Sequence, residues 1–157
     1  MPKDRFYKME VVVEQLKNYC ATEDKCQWDL IQKMKQWKLD ESRRSVILKL
    51  LHQEKYINEE RYSRSFCRGK FRIKKWGKIK IASELRKKDI AALYISKGLE
   101  EIDDNEYHQE LNIQYQKKKK TINEKNEFIK NNKIASYLIK KGYESNFVWD
   151  KIRESKQ

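Results

Sequence analysis

Between Arg61 and Lys88 the chain carries twelve basic side chains, Arg61, Arg64, Arg68, Lys70, Arg72, Lys74, Lys75, Lys78, Lys80, Arg86, Lys87 and Lys88, against one acid, Glu84. Twelve minus one is +11, so nearly all of the formal charge of +13 on 157 residues falls in this segment. The chemistry such residues offer is neutralisation of phosphates or carboxylates on a partner. Without one, a charge field this concentrated repels itself in a compact fold. Tyr62, Phe66, Phe71, Ile73, Trp76, Ile79 and Ile81 interrupt the charges at intervals that let one side be buried. The pattern is that of a folded basic face and not of a disordered tail. The candidate binding residues are Arg68, Lys70, Arg72, Lys74, Lys75, Lys78 and Lys80, with Trp76 either packed between helices or offered as an anchor or stacking platform. Arg61 and Arg64 stand beside Glu59 and Glu60 at a helix start and are expected to pair within the molecule.

Bond-making chemistry has no comparable constellation. Gly77-Lys78 lacks the upstream glycine of a phosphate-binding loop and is followed by Ile79 where serine or threonine would be needed. The acid pairs Glu100-Glu101 and Asp103-Asp104 fall at helix junctions among solvated charges, with no histidine or apolar shield to tune them. His52 and His108 are far apart, and Cys20, Cys26 and Cys67 fit no zinc spacing, so they read as thiols of a reducing compartment. No catalytic residue, metal or cofactor is expected. The N-terminus has no apolar leader pattern, and no apolar run approaches the roughly 20 residues of a membrane span, so a cytoplasmic protein is expected.

The elements that position the basic face are helices. Apolar residues make up 38% and charged residues 39%, which implies a thin core, and four glycines with the single Pro2 cannot supply the turns of a many-stranded sheet. Apolar spacing predicts helices over 7–21, 23–37, 41–53, 59–73, 78–88, 91–102, 105–120, 123–141 and 145–154, with Asp40, Asn58 and Asp104 as N-caps. The alternation Phe71-Arg72-Ile73 is too short to outweigh its helical context. The lysine-rich run 117–127 lacks apolar periodicity and reads as a bent join or a solvated face.

A weak repeat of about fifty residues aligns 31–39, 80–90 and 135–143. Met34, Leu85 and Leu138 coincide, as do Leu39, Ile90 and Tyr143 five residues later. In the following helix Ile95 and Leu99 match Val148 and Ile152, with Val46 and Leu50 in the first copy. Each copy reads as a helix closed by a left-handed residue at Gly142, Asp89 or Lys38. Lysine pays a steric cost of roughly 1 kcal/mol in that conformation, so a different geometry is expected at the first stop. The fold class is therefore all-α, three tandem three-helix repeats in an elongated, curved array, divided as 1–54, 55–102 and 103–157.

The segment 56–63, followed by Phe66, Arg68, Lys70, Gly77, Ile81, Glu84-Leu85, Lys87-Lys88 and Ile90, resembles the central repeat of the RecX regulatory family. The likeness continues through 95–102 and 137–143; Asp89, where the family more often has glycine, and Lys38 depart from it. The resemblance implies a non-catalytic modulator that lies in the groove of the RecA filament on single-stranded DNA and limits recombinase and co-protease activity. A monomer and no membrane are expected with it. The alternative is a stand-alone helical-repeat protein that binds nucleic acid through the same basic face without a recombinase.

Overall fold

A computed structural model describes residues 8–155. Among them nine helices follow in chain order: α1 (Met9–Thr22), α2 (Gln27–Gln36), α3 (Glu41–Gln53), α4 (Glu59–Arg72), α5 (Lys78–Lys87), α6 (Ala92–Leu99), α7 (Asp104–Thr121), α8 (Glu127–Lys140) and α9 (Ser145–Glu154). There is no strand among the described residues, and Phe71 and Arg72 form the last turn of α4. The helices pack in three consecutive groups of three. The expected start of the first helix at Tyr7 lies outside the described residues.

The starts of four helices follow from short polar side chains that accept from otherwise open first-turn amides. Asp40 accepts from the Arg43 N–H at 2.8 Å, Asn58 from Arg61 at 2.9 Å, Asp103 from Glu106 at 3.0 Å and Asn126 from Ile129 at 3.1 Å. The cap of α7 is thus Asp103 and not Asp104, which is the first helical residue. α8 begins at Glu127 and not near Asn123, because the Asn126 cap closes the join 122–126 before helix resumes. Similarly, α2 starts at Gln27, where the Cys26 N–H donates to the Asp29 carboxylate at 3.2 Å, and not at Glu23.

The helix stops explain the sequence repeat. After α2, α5 and α8 the residues Lys38, Asp89 and Gly142 take φ of 60°, 58° and 108°. In each case the next amide reaches back to a carbonyl five residues earlier: Leu39 to Met34 at 3.1 Å, Ile90 to Leu85 at 3.2 Å and Tyr143 to Leu138 at 3.1 Å. The coinciding apolar positions are the two ends of this bond, and all six side chains are buried. Lys38 therefore makes the same stop as its counterparts, contrary to expectation. Lys55 makes a fourth one after α3, at φ 63°, with Tyr56 bonded to Leu51 at 2.9 Å. The buried Leu39 beyond Lys38 and the half-buried Tyr56 beyond Lys55 hold these lysines in a conformation their side chains alone would avoid.

In the first group the inward residues of α3 are Ile47 and Leu51, while Val46 is 56% exposed. The alignment is off by one residue there, which on a helix is a rotation of about 100°. The apolar interior falls into two clusters. Leu16, Leu30, Met34, Ile47 and Leu51 centre the first group, whereas a single cluster runs from Phe71 and Leu85 through Tyr107 and Tyr143 to Ile152. The second and third groups thus share one core.

Candidate functional site

The basic residues are presented by the end of α4, the connection 73–77 and the start of α5. Four of the five amides of that connection, those of Ile73, Lys75, Trp76 and Gly77, donate to backbone carbonyls. Lys75 takes φ 61°; its N–H donates to Phe71 at 3.1 Å and that of Trp76 to Lys70 at 3.2 Å. The third group holds the other side. The Gly77 and Ile79 amides donate to the carbonyls of Lys141 at 3.0 Å and Gly142 at 2.9 Å. The Tyr143 hydroxyl donates to the Lys75 carbonyl at 2.9 Å, and the Lys78 N–H donates to the Tyr107 hydroxyl at 2.9 Å. Tyr107 in turn donates to the Glu144 carboxylate. Burial pushes both phenols above the usual tyrosine range, and the Glu144 carboxylate adds to the effect at Tyr107, so both hydroxyls stay neutral and able to donate. The two rings lie 5.3 Å apart.

On this fixed loop Trp76 is half-buried against the shared core, with the Lys80 ammonium 4.5 Å and the Lys70 ammonium 5.1 Å from its ring centre. Arg72, Ile73 and Lys74 are exposed beside it, Ile73 to 77%. Among the described residues, Lys70, Arg72, Lys74 and Lys80 have no carboxylate within ion-pair distance.

The other three candidates are engaged differently. Arg68 pairs with Glu101, Lys75 with Glu110 at 3.4 Å and Lys78 with Asp104 at 3.4 Å. Arg68 lies with Arg61 and Arg64 along a second face of α4, beside Tyr94. Arg61 pairs with Asp24 at 3.0 Å, and Arg64 with Glu60 and Glu101, both at 3.2 Å. Glu101 is therefore not an idle solvated acid but the anchor of two arginines. The structure brings Lys70 and Lys80 to the Trp76 ring and Lys74 to a groove shared with Lys70, leaves Arg72 exposed at the end of α4, and turns Arg68 toward α6.

Lys88 is a further basic residue whose role the sequence pattern did not single out. From the end of α5 it reaches the Asp29 carboxylate of the first group and the Tyr62 hydroxyl of α4, each at 3.0 Å. Burial alone would lower its pKa, yet the bonds to Tyr62 and Asp29 outweigh that, and the ammonium is held above the usual lysine range. It borders a groove with Asp24, Lys25, Phe66, Lys70 and Lys74 where the first and second groups meet. No local signal could have revealed this, because Asp29 and Lys88 meet only through the fold.

Among the described residues, no cluster of three histidine, cysteine or acidic side chains is arranged to hold a metal, and no helix is long and apolar enough to cross a membrane. The site offers cations and an aromatic ring on a rigid loop.

Residues 58–99, which span α4 to α6 and every candidate binding residue, match the family model described as RecX, second three-helix domain. That middle segment is similar to a RecX domain. A crystal structure of a regulatory protein RecX superposes with a TM-score of 0.84 at 20% identity, covering 93% of this chain and 73% of the other. The crystal structure of RecX from Lactobacillus salivarius gives 0.79 at 20% identity, covering 93% and 95%. The all-helical fold of this chain is thus shared almost end to end. No curated protein matches it by sequence.

Proposed function

We propose that this protein acts as a RecX-type regulator of RecA, binding the recombinase filament on single-stranded DNA, without catalysis of its own, in the cytoplasm. The observation that supports it best is the loop 73–77, where Lys70 and Lys80 flank Trp76, Arg72 and Lys74 are exposed nearby in the chain, and none of the four has an ion-pair partner among the described residues. The backbone there is fixed by bonds to the third group, so little ordering cost remains when a partner is met. Lys75 and Lys78 are part of the proposed face and Arg68 extends it from the second face of α4; their partly exposed ion pairs are weak enough to exchange for a phosphate or an acidic side chain. Three tandem groups, divided near 54 and 102, would touch successive subunits and gain affinity by repetition.

The test is a RecA ATPase assay on single-stranded DNA, titrated with the protein at two salt concentrations. Inhibition should weaken with salt as competing ions return to the phosphates. Lys70→Glu with Lys80→Glu should raise the half-inhibiting concentration by about tenfold or more, since each reversed charge costs on the order of 1 kcal/mol. Filament should also be bound much more tightly than bare strand. Equal affinity for the two, with ATP hydrolysis untouched, would leave nucleic acid as the partner and reject the recombinase.

A further inference from the structure

The lysine run at the end of α7 plays no part in the reading above. α7 and α8 pack against each other, and a groove opens between the end of α7 and the face of α8 from Phe128 to Tyr137. Ile122, Phe128, Ile129 and Tyr137 line it, with Lys118 and Lys133 among them. Phe128 keeps 77% of its surface in water, Ile129 42% and Tyr137 37%. Neighbouring exposed apolar groups of this size mark a contact surface more than a solvated one. Around them, residues 117–141 hold nine lysines (117–120, 125, 130, 133, 140 and 141) and two acids, Glu124 and Glu127, a net +7.

Charge selects the occupant. A second copy of the chain would bring the same lysines against these and be repelled. A single nucleic-acid strand would need open aromatic faces to stack on. The Tyr137 ring is instead engaged by the ammonium groups of Lys118 at 4.4 Å and Lys141 at 5.6 Å. Phe128 is then the single open ring of the groove, too little for successive bases to stack on, and Ile129 and Ile122 beside it suit aliphatic side chains. An acidic chain with apolar residues on one side satisfies both halves of the surface, in the way a helix lies in a groove. Lys133 now pairs with Glu124 at 3.6 Å while 57% exposed, a contact weak enough to be exchanged.

We propose that the α7–α8 groove binds an acidic amphipathic segment of a protein partner, whose apolar side chains cover Phe128, Ile129 and Ile122 while its carboxylates meet Lys118 and Lys133. The surface lies on a different group from Trp76 and does not depend on the filament reading.

The test uses the full chain and a fluorescein-labelled synthetic helix of about 18 residues, leucine at i, i+3, i+4 and i+7 spacing and glutamate elsewhere, beside the same peptide with lysine for glutamate. The glutamate peptide should bind at least about tenfold more tightly. Phe128→Ser with Ile129→Ser should weaken it about tenfold with the melting temperature unchanged, because both side chains are exposed. Lys118→Glu with Lys133→Glu should shift preference toward the lysine peptide, a gain that misfolding would not produce. Equal binding of the two peptides, or full binding by the serine variant, would overturn the proposal. So would a labelled thymidine oligonucleotide whose binding, unlike that of the peptide, falls with Phe128→Ser.

Discussion

The backbones of Gly77 and Gly142 are in direct contact: a Cβ on Gly77 would fall 2.2 Å from the Gly142 carbonyl carbon and 2.3 Å from its oxygen. This approach lets the start of α5 take its hydrogen bonds from the stop of α8, and so ties the basic loop of the second group to the third. Position and conformation differ between the two glycines. Gly77 has an ordinary φ of −76° and needs only the missing side chain, whereas Gly142 needs both the space and the left-handed backbone.

Gly77→Ala should therefore cost on the order of 3 kcal/mol or more, since the atoms it meets are main chain and cannot swing aside. Gly142→Ala should be as damaging, with the positive φ added. Gly69→Ala is the control: it lies inside α4 with nothing within 4 Å of a new methyl, and should stabilise by up to about 1 kcal/mol. Urea unfolding of the three variants checks the order. Gly77→Ala as stable as the parent would mean that the α5–α8 contact is not formed.

Lys88 joins the first two groups through a pair whose side chains are 27% and 13% exposed. Removing one partner strands the other charge in a poorly hydrated place, which for fully buried pairs costs about 3–5 kcal/mol. With a quarter of the lysine still in water, Lys88→Met should cost about 2 kcal/mol. Combined with Asp29→Asn the loss should be less than the sum of the single losses, and a double-mutant cycle with no coupling would show that the pair does not hold the groups together.

Burial pushes the Cys26 thiol up to about 12 and the Cys67 thiol to about 11. Free thiols titrate near 8.5, so the folded state resists losing these protons. Stability from this source is complete below about 8.5 and falls as pH rises through the folded values. Lys88 acts in the same direction, because its raised pKa gives stability that is lost once its ammonium deprotonates. The urea midpoint should hold from about pH 6 to about pH 8 and decline toward about 11, where the buried Cys67 thiol loses its proton. At pH 8 in native buffer a thiol reagent should modify only the half-exposed Cys20, with all three reacting in denaturant. Rapid native reaction of two or three thiols would contradict the burial.

The helices were legible in the sequence because caps and apolar spacing are local: Asp40 and Asn58 mark their own helix starts. The stops were legible as coinciding apolar pairs, since Met34 and Leu39 both had to be buried for the closing bond to form. The candidate face was legible as charge and not as geometry. Nothing near Arg68 in sequence indicates Glu101, nor anything near Lys75 its Glu110 partner, and only packing separates these residues from Lys70 and Lys80. Gly77, whose neighbourhood fails as a phosphate loop, is needed because a chain segment from the other end of the molecule passes over it.

Lys38 and Lys55 stand where a left-handed residue closes a helix, and neither has the glycine that makes this conformation easy. An L side chain there costs about 1–2 kcal/mol, part of which glycine would give back through the entropy of the unfolded chain. Lys38→Gly and Lys55→Gly should each stabilise by about 0.5–1 kcal/mol, and the two gains should add, because each residue closes a different helix. Both lysines are exposed, so little packing is lost with them. Asp89→Gly should gain less, as aspartate tolerates the conformation better. Thermal unfolding measures all three. A loss at Lys38 would mean that its side chain, and not the buried pair Met34 and Leu39, holds the end of α2 in place.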